Sequence, residues 1–248
     1  MIAAQALTKS FKATRGRVVR GIEHVSFNAA DGQITGLLGP NGAGKSTTLR
    51  ILSTLMHADS GSATIDGHDV NRDALEVRRS IGFLPHDSGI YPRLTARENI
   101  RYYADICGVP AQKSRDRTDE LVNLLDMESF ADRRARGFSQ GQKTKVGLAR
   151  ALVHNPGTIM LDEPTNGLDV MATRGLRTII RRLADAGHCV LFSSHIMQEV
   201  EALCDHIAII SDGRVAMEDS LDGLRERTGQ RSLEDAFVVA IGETPEPV

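Results

Sequence analysis

The chain has 248 residues, of which 41% are hydrophobic and 25% charged. This length and composition allow one large or two small domains with packed cores, and they exclude a disordered tail, a collagen-like fibre and a disulfide miniprotein. The formal charge of −2 gives no overall positive field that would favour nucleic acid, so we predict no nucleic-acid partner. Three widely spaced cysteines and the lack of an apolar run long enough to span a membrane favour a reducing, cytoplasmic location.

Short apolar runs bounded by Gly and Asp alternate with amphipathic segments, a pattern typical of an α/β fold with a largely parallel sheet. The clearest predicted strands are 34–38, 81–84, 158–161, 190–192 and 207–210. The dipeptides Asp31-Gly32, Asp66-Gly67 and Asp212-Gly213 predict turns, and the alternating residues that flank them indicate that some of these turns are hairpins. They indicate that antiparallel strands border the parallel sheet near the N-terminus.

The central part of the chain changes to helical character. Thr95 followed three residues later by Glu98 predicts a capping box, and leucines at helical spacing follow at 121, 124 and 125. We therefore predict a helical insert within one domain. The predicted boundaries are 1–86 and 154–220 for the α/β core with its antiparallel edge, 87–153 for the helical insert and 221–248 for a helical C-terminal tail.

A phosphate-binding loop follows the strand predicted at 34–38. Residues 39–46 match the pattern GxxxxGK[ST], and a helix is predicted at 47–55. Glycines let backbone N–H groups wrap a polyphosphate, and the helix N-terminus favours its negative charge. An ordinary glycine-rich turn is the alternative, but the strand before the motif and the helix after it favour nucleotide binding. The predicted ligands of ATP are Gly39, Pro40, Asn41, Gly42, Ala43, Gly44, Lys45, Ser46 and Thr47.

The strand predicted at 158–161 ends in two carboxylates, Asp162 and Glu163. In phosphate-loop enzymes an Asp at this sheet edge completes the Mg²⁺ site, so we predict that Ser46 and Asp162 bind Mg²⁺. Glu163 is suited to accept a proton from the attacking water. Alternatively, the two carboxylates only begin a surface loop before Pro164.

Residues 138–142, Phe-Ser-Gln-Gly-Gln, resemble the LSGGQ signature of ATP-binding cassette (ABC) ATPases. Residues 165–169 resemble the D-loop of that family, and residues 193–195 resemble its switch-histidine loop. Together with the phosphate loop and the strand before Asp162, five motifs occur in the family's order between residues 39 and 195. The resemblance implies a phosphate-loop NTPase fold, with a RecA-like mostly parallel sheet, an antiparallel β-edge subdomain and an inserted α-helical subdomain.

The resemblance also implies roles for individual residues. Ser139, Gly141, Gln142 and Asp169 would contact ATP held by a second cassette, with which the chain would form a dimer. His195 would sense the γ-phosphate. Phe11 would stack on adenine, although it is equally well explained as a core aromatic at a strand end. Ser139 with Gln142 also forms a predicted capping box, independently of any role in binding.

Two residues depart from the family pattern. Gln140 replaces the first glycine of the signature pair, and His86 stands where most cassettes have a glutamine near Mg²⁺ and the attacking water. We predict a catalytic role for His86 in its neutral form, with ATPase activity falling as His86 becomes protonated. The alternative is a solvated loop histidine.

The stretch 84–99 and the tail segment 232–237 look most like bacterial ABC-2 exporters, which include sodium-exporting and drug-resistance cassettes. This resemblance implies an ATPase that powers efflux, with Na⁺ as the first candidate substrate, through a separate membrane permease docked near residues 86–91. It also implies a peripheral position on the inner face of the membrane. A non-hydrolysing or soluble nucleotide-binding regulatory module is the alternative.

Overall fold

The computed structural model describes residues 1–12, 18–87 and 89–243, and within them the chain forms two β-sheets with helices around them. The strands are β1 (Ile2–Lys12), β2 (Val18–Ala29), β3 (Ile34–Leu38), β4 (Ser60–Ile65), β5 (His68–Asp69), β6 (Ile81–Leu84), β7 (Thr158–Asp162), β8 (Cys189–Ser194), β9 (His206–Ser211) and β10 (Arg214–Ser220). The helices are α1 (Lys45–Leu52), α2 (Ala74–Ser80), α3 (Ala96–Ile106), α4 (Ala111–Leu124), α5 (Gln140–Leu152), α6 (Val170–Asp185), α7 (Met197–Leu203), α8 (Leu221–Thr228) and α9 (Leu233–Ala240).

The larger sheet has six strands in the order β10-β9-β3-β8-β7-β6, and only β10 pairs antiparallel to its neighbour. β3, β7 and β8 are buried along their whole length, which explains why they are nearly continuous apolar runs. The predicted mostly parallel α/β sheet is therefore confirmed. Because these three strands are parallel and adjacent, their carboxyl ends meet at one edge of the sheet.

The smaller sheet is antiparallel, with the order β2-β1-β4-β5. Its apolar face packs with α1 and one face of the larger sheet in a single core that includes Phe27, Leu49 and Leu191. The opposite face of the larger sheet contributes to a second core shared with α3, α4, α5 and α6, which includes Leu121, Val146 and Phe192. The phosphate loop thus starts from a strand that is buried between the two cores.

The predicted hairpins are confirmed at two of the three dipeptides. Asp66-Gly67 joins β4 to β5, and Asp212-Gly213 joins β9 to β10, both as antiparallel pairs. Asp31-Gly32 is a turn but not a hairpin, because it carries the chain from β2 in the smaller sheet to β3 in the larger sheet. The three dipeptides have the same composition but not the same backbone. Asp66 and Asp212 have φ of 51° and 48°, as a two-residue type I′ hairpin requires, whereas at Asp31-Gly32 only the glycine has a positive φ, of 70°.

Helices α3, α4 and α5 lie between β6 and β7 in the chain. The capping box predicted at the start of α3 is confirmed: the amide of Glu98 donates to Thr95 Oγ1 at 3.1 Å, and the amide of Thr95 donates to Glu98 Oε2 at 2.7 Å. These bonds to the charged form keep the pKa of Glu98 below its usual range. The helix predicted at 47–55 begins at Lys45 and ends at Leu52, shortly before Thr54 adopts φ 61°. The C-terminal segment is described to residue 243, so residues 244–248 of the predicted tail lie outside the described residues.

Candidate active site

The loop 39–44 connects the end of β3 to the start of α1. A Cβ atom on Gly39 would lie 2.1 Å from the backbone oxygen of Ile210, and one on Gly44, at φ 107°, would lie 2.5 Å from Ile22 Cγ2. Close backbone approach therefore requires glycine at both positions. The amide N–H groups at the start of α1 point toward this loop, as a phosphate-binding site requires.

Lys45 is the first residue of α1, and its side chain is only 4% exposed. Its Nζ donates to the carbonyl oxygens of Gly39 at 2.7 Å and Pro40 at 3.1 Å, and it lies 3.3 Å from Glu163 Oε1. The ammonium group is thus held at the mouth of the loop, opposite the carboxylate of Glu163, the residue that follows β7. A desolvated ammonium in this position binds anionic oxygens more strongly than one in water.

Asp162 ends β7 and is also 4% exposed. Its Oδ1 accepts hydrogen bonds from Ser46 Oγ at 3.1 Å and from Ser193 Oγ at 2.8 Å. A serine hydroxyl beside a carboxylate is the oxygen donor set that Mg²⁺ prefers when substrate phosphates supply further ligands. The residues present therefore fit Mg²⁺, and the site would be formed by Ser46 and Asp162.

Glu163 has a backbone φ of 49°, which is uncommon outside glycine and is often found at functional sites. Its amide donates to Ser193 Oγ at 3.0 Å and to the Ser193 carbonyl at 3.2 Å. The side chain lies between two nitrogens, with Oε1 3.3 Å from Lys45 Nζ and Oε2 3.2 Å from His195 Nδ1. The structure thus brings Lys45, Glu163 and His195 together.

His86 lies in the loop after β6 and is exposed. It lines a cavity of about 360 Å³ together with Asp162, Glu163 and Gln140. His86 therefore borders the same cavity as the two carboxylates. Gln140, the departure from the signature pattern, lines the same cavity, and its Cγ would lie 3.5 Å from a Cβ on Gly167.

The signature segment forms the N-terminus of α5. Ser139 caps the helix: its Oγ accepts from the amide of Gln142 at 3.2 Å, and its own amide donates to Gln142 Oε1 at 3.1 Å. The predicted capping box is confirmed. Ser139 is exposed, and Gly141 packs against α6, where a Cβ would lie 3.4 Å from Ala172 Cβ. The capped helix end is thus presented to solvent.

Asp169 is the N-cap of α6, and its Oδ1 accepts from the amide of Ala172 at 2.8 Å. The next two residues, Val170 and Met171, are 75% and 73% exposed. Two large apolar side chains are thus exposed directly beside the segment that resembles a D-loop.

Comparison with known proteins decides the family. The ABC transporter family profile matches residues 22–166, which is more than half of the chain. This chain belongs to the ABC transporter family. It is 38% identical to the ABC transporter ATP-binding protein NatA of Bacillus subtilis over 223 residues, covering 90% of this chain and 91% of NatA. It is also 32% identical to the linearmycin resistance ATP-binding protein LnrL of the same organism, covering 97% of this chain and 78% of LnrL.

The fold of this ABC cassette is similar to that of solved cassettes. The dimeric structure of MJ0796, a bacterial ABC transporter cassette, superimposes with a TM-score of 0.81 and 29% identity, covering 89% of this chain and 99% of that one. A further dimeric structure of MJ0796 shows a post-hydrolysis state bound to ADP and Pi. The resemblance inferred from the motifs and the predicted phosphate-loop NTPase fold are both confirmed.

Phe11 lies near the end of β1 in the ABC cassette and is partly exposed. Its ring covers Gly21, where a Cβ would lie 2.4 Å from Phe11 Cε2, and the Gly21 carbonyl lies close to Gly44. The ring is therefore on the smaller sheet near the phosphate loop, which suits either an adenine contact or packing on the glycine.

Sequence reasoning missed a role for Ser193 in this cassette. Its side chain donates to Asp162 and accepts from the amide of Glu163, so it fixes both carboxylate residues from the neighbouring strand. The signal was available in part, because Asp162 and Ser193 occupy paired positions on β7 and β8. Recognising that Asp162 and Ser193 are paired requires the order of the strands in the sheet, which could not be predicted from the sequence alone.

Proposed function

We infer that this chain is the ATP-hydrolysing subunit of an ABC exporter. The observation that carries the proposal is the placement of Glu163 between Lys45 and His195, at 3.3 and 3.2 Å, at the carboxyl edge of the parallel sheet. A proton acceptor, a phosphate-binding cation and a histidine are thereby held within one small volume. The relatives NatA and LnrL, described as ATP-binding proteins, support the same nucleotide.

The reaction we propose is in-line attack of water on the γ-phosphate of ATP. Glu163 accepts the proton of the attacking water, Lys45 neutralises phosphate charge, and His195 contacts the γ-phosphate. Ser46 and Asp162 would hold Mg²⁺, which would supply neutralisation of phosphate charge. Because water and phosphate must be aligned, positioning and electrostatic stabilisation supply most of the acceleration.

His86 is proposed to assist at the same cavity. Its neutral ring offers one donor and one acceptor, which are the functions that a glutamine amide also supplies. His86→Gln is therefore expected to keep turnover within a few-fold of the wild-type value, whereas His86→Leu should lower it by at least about tenfold. Equal turnover in both variants would assign His86 to a solvated loop.

The proposed active form is a dimer of cassettes. Ser139, Gly141, Gln142 and Asp169 would contact ATP held by the second cassette, and the exposed Val170 and Met171 would be covered there. Support comes from the exposed cap of α5, since a helix N-terminus favours a phosphate group, and from the dimeric MJ0796 cassette. Size-exclusion chromatography with light scattering, with and without Mg-ATP, tests this dimer.

We further propose that a separate permease docks in the groove between the loop after β6 and helices α3 and α5. This groove encloses about 490 Å³ and is lined by both apolar and cationic side chains, among them Phe83, Leu84, Tyr103 and Arg150. The guanidinium of Arg150 lies 3.6 Å from the centre of the Tyr103 ring and donates to the Gly89 carbonyl at 3.3 Å. Within the described part of the chain, no helix is both long and apolar enough to cross a membrane.

Docking to a permease would place the cassette on the inner face of the membrane.

Na⁺ is the proposed first substrate to test. Support for Na⁺ is the sequence resemblance to sodium-exporting cassettes, since a transported ion would contact the permease rather than this chain. Inside-out vesicles that contain the cassette and its permease should accumulate ²²Na⁺ when ATP is added. ATP turnover without Na⁺ movement would direct the search to apolar antibiotics. A binding module without turnover would show ATP binding and no phosphate release.

A further inference from the structure

Glu199 is a buried carboxylate that takes no part in the reaction described above. It lies in the first turn of α7 and is only 6% exposed. Its described partners are two hydroxyl groups rather than a cation. A carboxylate removed from water is costly unless hydrogen bonds compensate it, so this arrangement calls for a specific explanation.

The two hydroxyl groups come from two different loops of the active site. Thr165 Oγ1 and Ser194 Oγ both donate to Glu199 Oε2, the latter at 3.3 Å. Thr165 lies two residues after Glu163, and Ser194 directly precedes His195. The same carboxylate oxygen therefore binds the segment that carries the proposed base and the segment that carries the proposed γ-phosphate contact.

Further hydrogen bonds fix both segments at these points. Ser194 Oγ also accepts from the amide of Ile196 at 3.0 Å, so the hydroxyl holds the chain on both sides of His195. The carbonyl of Thr165 accepts from the amide of Leu168 at 3.1 Å, which folds the loop back just before Asp169. A shift of the Asp169 segment would therefore act on Thr165 and, through Glu199, on His195.

We propose that Glu199 is a positioning residue that sets the Glu163–His195 spacing and couples it to the Asp169 segment. The inference rests on the proposed ATP hydrolysis. A hydrogen bond to an ionised acceptor is roughly twice as strong as one to a neutral acceptor, so the negative charge of Glu199 holds the two hydroxyl groups more firmly than an amide would. Glu199 lies behind the reacting groups and contacts Thr165 and Ser194, not the phosphate loop.

The first test compares Glu199→Gln with Glu201→Gln in the full-length chain. Glu201 lies on the same helix but is partly exposed and pairs with Arg225 at 2.6 Å. Glu199→Gln is expected to lower kcat by about 10- to 100-fold, because small displacements of aligned groups have effects of this size. KM for ATP and the affinity for a fluorescent ATP analogue should stay within about twofold. Glu201→Gln should leave kcat unchanged.

The second test removes the hydroxyl partner instead of the carboxylate. Thr165→Val keeps the shape but removes the donor, and it should lower kcat to a similar extent, whereas Thr165→Ser restores the donor and should recover most of the loss. Because Thr165→Val removes one of the two hydrogen bonds that Glu199→Gln weakens, the double variant Thr165→Val/Glu199→Gln should be little slower than Glu199→Gln alone. Thermal unfolding of each variant confirms that the chain is folded.

The outcomes separate this inference from the proposed function. If the wild type is active and Glu199→Gln is equally fast, the positioning role is overturned and ATP hydrolysis stands. The same conclusion follows if the double variant shows the product of the two single effects. A folded wild-type chain that binds ATP and shows no turnover, even with its permease, overturns both. A fall in kcat with unchanged KM and non-additive coupling supports the positioning role.

Discussion

Glu163 Oε2 lies 3.2 Å from His195 Nδ1, across the ends of the neighbouring parallel strands β7 and β8. The contact joins two residues that are separated in the sequence by helix α6 and strand β8. Parallel pairing of Asp162, the last residue of β7, with Ser193, the penultimate residue of β8, brings the carboxyl ends of the two strands together. The site therefore depends on strand register as much as on the motifs themselves.

Replacing the proposed base should trap the ATP-bound dimer. Glu163→Gln removes the proton acceptor but keeps the side-chain shape, and it removes a negative charge near the phosphate site. ATP binding should therefore persist while hydrolysis slows by about 10²–10⁴-fold. Light scattering should show a dimer with Mg-ATP in this variant and a monomer without nucleotide. Glu128→Gln, at an exposed position in the helical region, is the matched control and should behave as wild type. A Glu163→Gln chain that stays monomeric with saturating ATP contradicts the two-cassette arrangement.

Gly39 should not tolerate a side chain. Alanine at this position would place Cβ 2.1 Å from the backbone oxygen of Ile210 in β9, so either the phosphate loop or the strand must move. We expect a loss of about 2 kcal/mol in the free energy of unfolding and at least tenfold weaker ATP binding. Gly175→Ala in α6 is the control: the described residues offer no heavy atom within 4 Å of its Cβ, and a helical alanine should stabilise by about 0.5–1 kcal/mol. Urea unfolding and ATP titration measure both effects.

Ser139 combines a helix cap with a proposed phosphate contact, and two variants separate the roles. Ser139→Asp retains a good N-cap, so its stability should match the wild type, but its charge would repel the phosphate held by the second cassette. Ser139→Ala should lose about 1 kcal/mol of stability through the cap. We expect ATPase activity to fall more in Ser139→Asp than in Ser139→Ala. If activity instead followed stability, Ser139 would be a cap alone.

His154 should make the fold sensitive to acid. Burial lowers the pKa of His154, while the hydrogen bond between its Nε2 and the Ile81 carbonyl, at 2.9 Å, opposes that shift. The folded state therefore favours the neutral ring, and the unfolded state binds more protons once the pH falls below the ordinary histidine pKa of about 6.5. Stability contributed by this group is complete above that pH and is lost as the pH falls.

The measurement compares the free energy of unfolding at pH 7.5 and pH 5 in wild type and His154→Gln. The loss of stability between the two pH values should be smaller in the variant, whatever its stability at pH 7.5. His24→Asn is the control, because His24 is exposed and its φ of 54° is tolerated by asparagine. An identical acid-dependent loss in His154→Gln and wild type would show that other groups cause it.

Much of the fold could be predicted because many segments have a local sequence pattern that matches the secondary structure they adopt in the folded chain. The strands at 34–38 and 81–84 coincide with β3 and β6, and the capping boxes at Thr95 and Ser139 coincide with the starts of α3 and α5. Continuous apolar runs, glycine turns and helix caps are local signals, so one sequence suffices to detect them.

The remainder depends on contacts between distant segments. The Asp31-Gly32 turn has the composition of a hairpin, but β2 and β3 pair with strands in different sheets. Ser193 and Glu199 have no motif that distinguishes them from an ordinary strand serine and an ordinary helix glutamate. Their importance follows from hydrogen bonds to Asp162 and Thr165, which lie about thirty residues away in sequence. Long-range pairing of this kind is not encoded in local propensity.

The most direct test of the account is steady-state phosphate release from Mg-ATP by the full-length chain and by Glu163→Gln, alone and with the permease. The account predicts turnover by the wild type that increases with the permease and falls by about 10²–10⁴-fold in the variant, with ATP affinity nearly unchanged. Equal phosphate release by the two proteins would contradict the assignment of Glu163 as the base. ATP binding by the wild type without phosphate release under either condition would contradict ATP hydrolysis itself.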